Sequence, residues 1–177
     1  MMKLILLVLL TSVVISCNQH SQILSQSNTD DQTAASIDTV AKQFLIDITN
    51  SAWFQSEMAQ VALKKSHDTA ILSLARTITK QYTRIKDRTK IVSIPHKLNM
   101  PYFLLPDQNA KVTELKGVKD DSFDHEFISH IRENDSMILK MCDDFQSSPD
   151  KPSDVMQLIE FIRSTVQANQ SKMQSMP

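Results

Sequence analysis

Glycine is nearly absent from this chain, which has a single glycine, Gly117, among its 177 residues. Phosphate-binding loops and dinucleotide-binding turns need several glycines so that backbone amides can approach phosphates, and tight β-hairpins also use glycine. The composition therefore excludes those nucleotide-binding classes and disfavours a fold built from hairpins. A glycine-poor chain with nine methionines and many Leu and Ile residues is typical of helices.

Apolar residues recur at helical spacing in four segments of about 20 to 28 residues each. The first segment ends near Lys65, and Asp68 provides an N-cap for the second, which Pro95 ends. The third segment begins at Asp121, and Ser153 caps the fourth. We predict an all-α fold in which these segments form a four-helix bundle.

The connection between the second and third long helices is itself long. A loop between Pro95 and Pro106 is followed by a short predicted helix over residues 107–117. The loop contains four consecutive apolar residues, Tyr102, Phe103, Leu104 and Leu105. We expect this segment to pack over one end of the bundle or, if it is exposed, to form a contact patch for a partner.

The amino-terminal residues resemble a bacterial lipoprotein signal peptide. Lys3 precedes an apolar run from Leu4 to Ile15 that is too short for an ordinary membrane-spanning helix. The run ends in Val14-Ile15-Ser16-Cys17, which resembles a lipobox. This resemblance implies cleavage before Cys17 and attachment of lipid to its thiol. A plain secretory signal or an N-terminal anchor helix is the alternative.

The lipobox divides the chain into three parts. Residues 1–16 are the predicted signal peptide, residues 17–36 the lipidated cysteine with a flexible polar tether, and residues 37–177 the bundle domain. The residues after Cys17 lack the aspartate that favours retention in the inner membrane of enteric bacteria. The predicted location is therefore the outer membrane, with the domain facing the periplasm and anchored through lipid on Cys17.

The charge balance argues against a nucleic-acid partner. The chain has 19 Lys and Arg residues against 20 Asp and Glu residues, and its formal net charge is −1. A nucleic-acid binder needs a basic surface that displaces counterions from phosphates. The basic clusters near Lys64 and between Lys80 and Lys90 are interrupted by acidic and polar residues, and we interpret them as solvated helix faces.

Cysteine usage leaves one free thiol. The chain has two cysteines. With Cys17 acylated, no intramolecular disulfide is possible. Cys142 lies near a helical apolar stripe, so we predict that it is a small core residue.

The order of residues in the second and third segments resembles the exported bacterial proteins called domain of unknown function 4142. The resemblance covers residues 38–175 and includes the aromatic-acidic start of the third helix. The matching residues are Ala62, Lys65, Ser66, Asp68, Ile71, Leu74, Ala75, Ile78, Phe123, Asp124 and Phe127. It implies a ferritin-like four-helix bundle, and it implies no assigned molecular function.

The chain departs from this family at positions where members carry histidines inside the helices. Tyr82 stands at the position in the second helix, Asp135 in the third, and Asn169 or Lys172 in the fourth. If the histidines of relatives bind metal or protons, this chain has lost that use. Tyr82, Asp135 and Asn169 also interrupt apolar stripes, so we predict buried polar groups that need hydrogen-bond partners.

Metal chemistry has weak candidates in the sequence. A ferritin-type di-iron site needs Glu-x-x-His pairs, and none occurs here. Glu126 and His130 lie four apart on one helical face, and with Asp135 they are the candidates for a divalent ion. Inward-facing Glu57, converging with these residues, would support a ferritin-like metal or redox protein.

Catalytic motifs are also missing, since no nucleophile elbow occurs and the necessary glycines are absent. We therefore expect a protein that is not an enzyme and that needs no cofactor. The predicted function is a lipid-anchored periplasmic binding or interaction module, whose partner is a protein or a small ligand of unknown identity. The alternative is the ferritin-like metal-binding or redox protein.

Overall fold

The computed structural model describes residues 39–174 and residue 176, and this part of the chain is all-helical. Within residues 39–174 there are five helices and no β-strand. The helices are α1 (Thr39–Lys65), α2 (Thr69–Ser93), α3 (Pro106–Gly117), α4 (Asp120–Gln146) and α5 (Ser153–Met173). The predicted all-α class is confirmed. The signal peptide, the lipidated Cys17 and the tether were assigned to residues outside the described part, and they stay predictions.

A local sequence signal explains where α2 begins. The Asp68 carboxylate accepts hydrogen bonds from the backbone N–H groups of Ala70 at 2.6 Å and Ile71 at 3.1 Å, which caps α2. The predicted cap of the last helix is wrong. Pro152 occupies the N-cap position and Ser153 is the first helical residue, since the ring of Pro152 already holds the backbone bend that precedes the helix.

Each of the four long helices packs against two of the other long helices. Helix α1 packs against α2 and α4, and α5 packs against the same two helices. Near the start of α1, Phe44 contacts Phe145 at the end of α4, with ring centroids 4.9 Å apart. At the other end of α1, the Lys65 ammonium lies 5.2 Å from the centroid of the Phe123 ring at the start of α4. Helices α1 and α4 therefore run antiparallel.

Helix α3 and the loop before it cover the outside of α1. The Trp53 indole N–H donates to the Pro101 carbonyl oxygen at 3.1 Å, which holds the loop against the middle of α1. At the end of α3, the Lys65 ammonium donates to the carbonyl oxygens of Lys116 at 2.9 Å and of Val118, just after the helix, at 2.6 Å. The connection between α2 and α4 thus runs along α1 and ends at the start of α4.

The buried faces of all five helices contribute to one hydrophobic core. Cys142 is fully buried in this core, as predicted for a small core residue. Burial raises the pKa of the Cys142 thiol to about 11, with the Arg163 charge opposing the shift and the Asp143 charge adding to it. Among the described helices, none has the length and apolar character that crossing a membrane requires.

Candidate functional site

Four polar side chains, one from each long helix, meet inside the helix assembly. We call Gln55 of α1, Tyr82 of α2, Asp135 of α4 and Asn169 of α5 the interior polar cluster. All four residues are 0 % exposed. Three of them are the positions at which the sequence predicted buried polar groups. Each of these residues lies on the inward face of its helix, because it occupies one position in the apolar stripe of that helix.

The carboxyl group of Asp135 is the centre of the interior polar cluster. The Tyr82 hydroxyl donates to Asp135 Oδ1 at 2.5 Å. The Gln55 amide nitrogen Nε2 donates to the same oxygen at 2.9 Å and to the Ile131 carbonyl oxygen at 3.2 Å. Asp135 Oδ1 of α4 therefore connects this helix to α1 and α2. Hydrogen bonds are stronger in a buried interior of low dielectric than they are in water.

Other atoms of the interior polar cluster have no hydrogen-bond partner among the described residues. They are Asp135 Oδ2, Gln55 Oε1 and both amide atoms of Asn169. The Asn169 amide nevertheless lies beside the Tyr82 hydroxyl, close enough to lower the pKa of that group. A buried polar atom without a partner costs roughly 1–3 kcal/mol, so these atoms reduce the stability that the interior polar cluster contributes.

Burial shifts both titratable groups of the cluster toward their neutral forms. Burial raises the pKa of Asp135 to about 7, and the hydrogen bond from Tyr82 opposes that shift. Burial raises the pKa of Tyr82 well above its usual value, and the nearby Asp135 carboxylate adds to this effect. Tyr82 therefore acts as a neutral donor at any physiological pH.

The structure does not assemble the metal site that the sequence suggested. Within the described residues, no group of three or more His, Cys, Asp and Glu side chains lies close enough to hold a metal ion. His130 is partly exposed, and its Nδ1 lies 3.9 Å from Glu133 Oε2. Glu126 is also partly exposed, whereas Asp135 is fully buried among neutral groups. The structure therefore does not bring Glu126, His130 and Asp135 together, because His130 and Asp135 are five positions apart and lie about 140° from each other around α4.

The apolar loop presents two aromatic side chains to solvent. Tyr102 is 79 % exposed and Phe103 59 % exposed, and their rings meet edge to face with centroids 5.5 Å apart. We call this pair the aromatic tip. Leu105 is 38 % exposed, whereas Leu104 is partly buried and packs against the core. Leu104 is thus the least exposed of the four residues of the predicted patch, because it packs against the core beneath the loop.

The base of the aromatic tip is fixed to α1. The Pro101 carbonyl accepts from Trp53, and the Met100 sulfur lies 3.6 Å from the Thr49 hydroxyl. The Lys86 ammonium lies 3.6 Å from the centroid of the Trp53 ring, which holds this ring from the α2 side. The aromatic tip is therefore held in place by the scaffold that it stands on.

Sequence reasoning missed Gln55, although a signal for it exists. Ile48, Ala52, Ala59 and Ala62 mark the buried stripe of α1, and Gln55 lies on that stripe three residues after Ala52 and four before Ala59. A polar residue inside a stripe of small apolar residues indicates a buried hydrogen-bonding group. The same test identifies Asn134, which is buried and whose amide nitrogen donates to the Ser51 carbonyl oxygen at 3.5 Å.

These features define an all-helical domain with a buried polar cluster across its long helices and an aromatic pair on its one long loop. Residues 26–176 match the family described as domain of unknown function (DUF4142), and the chain belongs to this family. No curated protein and no solved structure matches the chain.

Proposed function

We propose that this protein is a lipid-anchored component of the bacterial cell envelope that works as an interaction module and not as an enzyme. In this proposal, lipid on Cys17 holds it on the outer membrane, and its helical domain faces the periplasm. The domain is a ferritin-like four-helix bundle that serves as a rigid scaffold. The contact surface is the aromatic tip with Leu105 beside it.

The contacts between helices support the bundle arrangement. Helices α1 and α4 are antiparallel, and the same holds for α2 and α5. His96 just beyond α2 has its Nε2 3.4 Å from Asp154 Oδ2 at the start of α5. The connections after α1 and α4 are short, whereas the connection through α3 is long. Two antiparallel pairs joined by one long crossover are the pattern of ferritin-like folds.

The exposure of the aromatic tip is the observation that carries the proposed interaction. A Tyr and a Phe that are mostly in water, on a loop fixed at its base, lose little conformational freedom when they meet a partner. Such aromatic side chains are the residues that dominate binding at many interfaces. The neighbouring Leu105 extends the apolar surface.

The interior argues against a reaction there. Every residue of the interior polar cluster is fully buried, so no substrate reaches Asp135 or Tyr82 without opening of the helices. The other acidic and histidine side chains of the described residues do not converge into a metal-ligand group. The simplest interpretation is that the interior polar cluster has a structural role and that the surface of the domain binds the partner.

The proposed anchor leaves the domain close to the membrane. Residues 18–38 separate Cys17 from the start of α1 and are rich in Ser, Gln, Asn and Thr. If these residues form the tether that the sequence predicts, a chain of that length would have a root-mean-square span of roughly 25 Å. Partners within reach are therefore on or near the same membrane.

Two linked experiments test this proposal. Cys17→Ser, expressed with the complete signal sequence, is expected to move from the membrane fraction to the soluble periplasmic fraction. A photo-crosslinking amino acid at position 103 is expected to give discrete crosslinked products in cells. Position 137 is the matched control, since Met137 is an exposed apolar residue on α4. Identical products from positions 103 and 137, or none from position 103, contradict the assigned contact surface.

A further inference from the structure

We propose that Asp135 is a buried proton-binding site, through which acid tightens the packing of the four long helices and alkali loosens it. The proposal concerns the interior polar cluster and is independent of what the aromatic tip binds. The ligand is a single proton taken from water. Its binding changes the charge at the point where hydrogen bonds from α1 and α2 reach α4.

The geometry of the carboxyl group distinguishes its two oxygens. Asp135 Oδ1 accepts from Tyr82 at 2.5 Å and from Gln55 at 2.9 Å, so it has its full set of donors. Asp135 Oδ2 is buried and has no donor among the described residues. An ionised carboxylate leaves half of its charge on that oxygen without compensation, which is costly in a dry interior. A proton on Oδ2 removes that charge and leaves both hydrogen bonds at Oδ1 intact.

The side chains that the neighbouring helices place around Asp135 are neutral. None of them offsets the negative charge of an ionised Asp135 carboxylate. Helix α1 presents the neutral amide of Gln55, and α5 presents the neutral amide of Asn169 beside Tyr82. Tyr82 of α2 is the titratable group in contact with Asp135, and it stays protonated. On α4 itself the adjacent residues are Asn134 and Ser136, and both are neutral. Within the described residues, no Lys, Arg or His acts on the carboxyl group to hold it ionised.

The direction of the effect follows from comparing the folded and unfolded chains. Burial raises the pKa of Asp135 to about 7, above its ordinary value of 3.8 in an unfolded chain. Between these two values, the folded protein binds one proton more than the unfolded protein. Stability from this group is therefore present at low pH, falls as the pH rises toward about 7, and levels off above it.

The expected effect is large enough to measure. For one proton and these two pKa values, the folding equilibrium constant falls roughly 50-fold between about pH 5 and pH 7. Other groups also titrate in this range, so the quantity of interest is the difference between the natural protein and a variant that cannot ionise at position 135. Asp135→Asn is that variant, because its amide oxygen can accept from Tyr82 and Gln55 at the position of Oδ1, and its amide nitrogen places no charge at the position of Oδ2.

The test is urea unfolding of the full chain in a mild detergent, followed by circular dichroism at several pH values between 5 and 8.5. We expect the ratio of folding constants, Asp135→Asn over the natural chain, to rise by more than tenfold across this range. Asp87→Asn is the control, since Asp87 is exposed on α2, and its ratio is expected to stay within about twofold. A pH-independent ratio for Asp135→Asn overturns the proposal.

A direct measurement keeps the proposal testable if Asp135→Asn folds poorly. The carboxyl carbon of Asp135, labelled with ¹³C and followed by NMR in the natural chain, is expected to titrate near neutral pH. Titration of Asp135 near its ordinary value of 3.8 shows that the carboxyl is ionised in the fold at neutral pH and overturns the proposal.

Discussion

The Tyr82 hydroxyl reaches Asp135 Oδ1 at 2.5 Å across the interior of the protein, although their helices do not pair with each other as main packing partners. Helix α2 packs against α1 and α5, and α4 packs against the same two helices. The hydrogen bond therefore crosses the core between opposite helices. A tyrosine side chain is long enough for this crossing. The hydrogen bond therefore connects α2 and α4, which are not main packing partners.

Removing this hydroxyl is expected to destabilise the fold. Tyr82→Phe keeps the ring in place and deletes one donor to a buried carboxyl, which should lower the free energy of unfolding by about 1–3 kcal/mol. Urea unfolding measures the change. Tyr102→Phe deletes a hydroxyl from a residue that is 79 % exposed, so its effect should stay within about 0.5 kcal/mol. Equal effects of the two substitutions contradict the assigned hydrogen bond.

The cap of α2 provides a second test, which is local. Asp68→Ala removes an acceptor for the backbone N–H groups of Ala70 and Ile71, so it should lower the free energy of unfolding by about 1 kcal/mol. Thermal unfolding followed at 222 nm measures it. Asp87→Ala changes an exposed aspartate of the same helix that is no cap, and it should change stability much less. Loss of stability with Asp87→Ala but not with Asp68→Ala is incompatible with this cap.

Cys142 should be unreactive in the folded protein. It is fully buried, and burial raises the pKa of its thiol to about 11, so both access and the thiolate fraction are low at neutral pH. A thiol reagent such as Ellman's reagent should modify it only after denaturant is added. Complete modification of the native protein within seconds at pH 8 contradicts this placement. With Cys17 replaced by Ser, the further change Cys142→Ala should fold and give no signal in denaturant, which assigns the reaction to Cys142.

The indole of Trp53 is expected to control the order of the loop. Trp53→Phe keeps an aromatic ring near Lys86 but loses the donor to the Pro101 carbonyl. Hydrogen exchange measured by mass spectrometry should then be faster in peptides that cover residues 98–105, while exchange in α5 is unchanged. Lys86→Met is the companion variant, since it removes the cation above the ring and leaves the hydrogen bond. Unchanged exchange in the loop of Trp53→Phe shows that other contacts hold it.

The helices could be predicted from the sequence because their signals are local. Asp68 caps α2, and Pro95 follows the end of that helix by two residues, so boundaries follow from residues next to them in the chain. The polar positions Tyr82, Asp135 and Asn169 were found because each interrupts an apolar stripe. These are patterns that one helix carries by itself.

Contacts between helices could not be predicted in the same way. Nothing local shows that Gln55 meets Asp135, since 80 residues separate them. The burial of Leu104 beside the exposed Phe103 depends on how the loop lies on α1, and the separation of His130 from Asp135 depends on which faces of α4 meet other helices. Relative placement of helices is a tertiary property, and the apolar pattern of one helix leaves several placements open.

Elemental analysis tests most directly the claim that polar hydrogen bonds, and not a bound metal ion, hold the interior together. The protein is purified from membranes without chelators and analysed by mass spectrometry for iron, zinc, manganese and copper. We predict amounts far below one ion per chain, together with cooperative unfolding that added chelator does not change. One ion or more per chain, with loss of stability on chelation, contradicts the account and supports a metal-binding function.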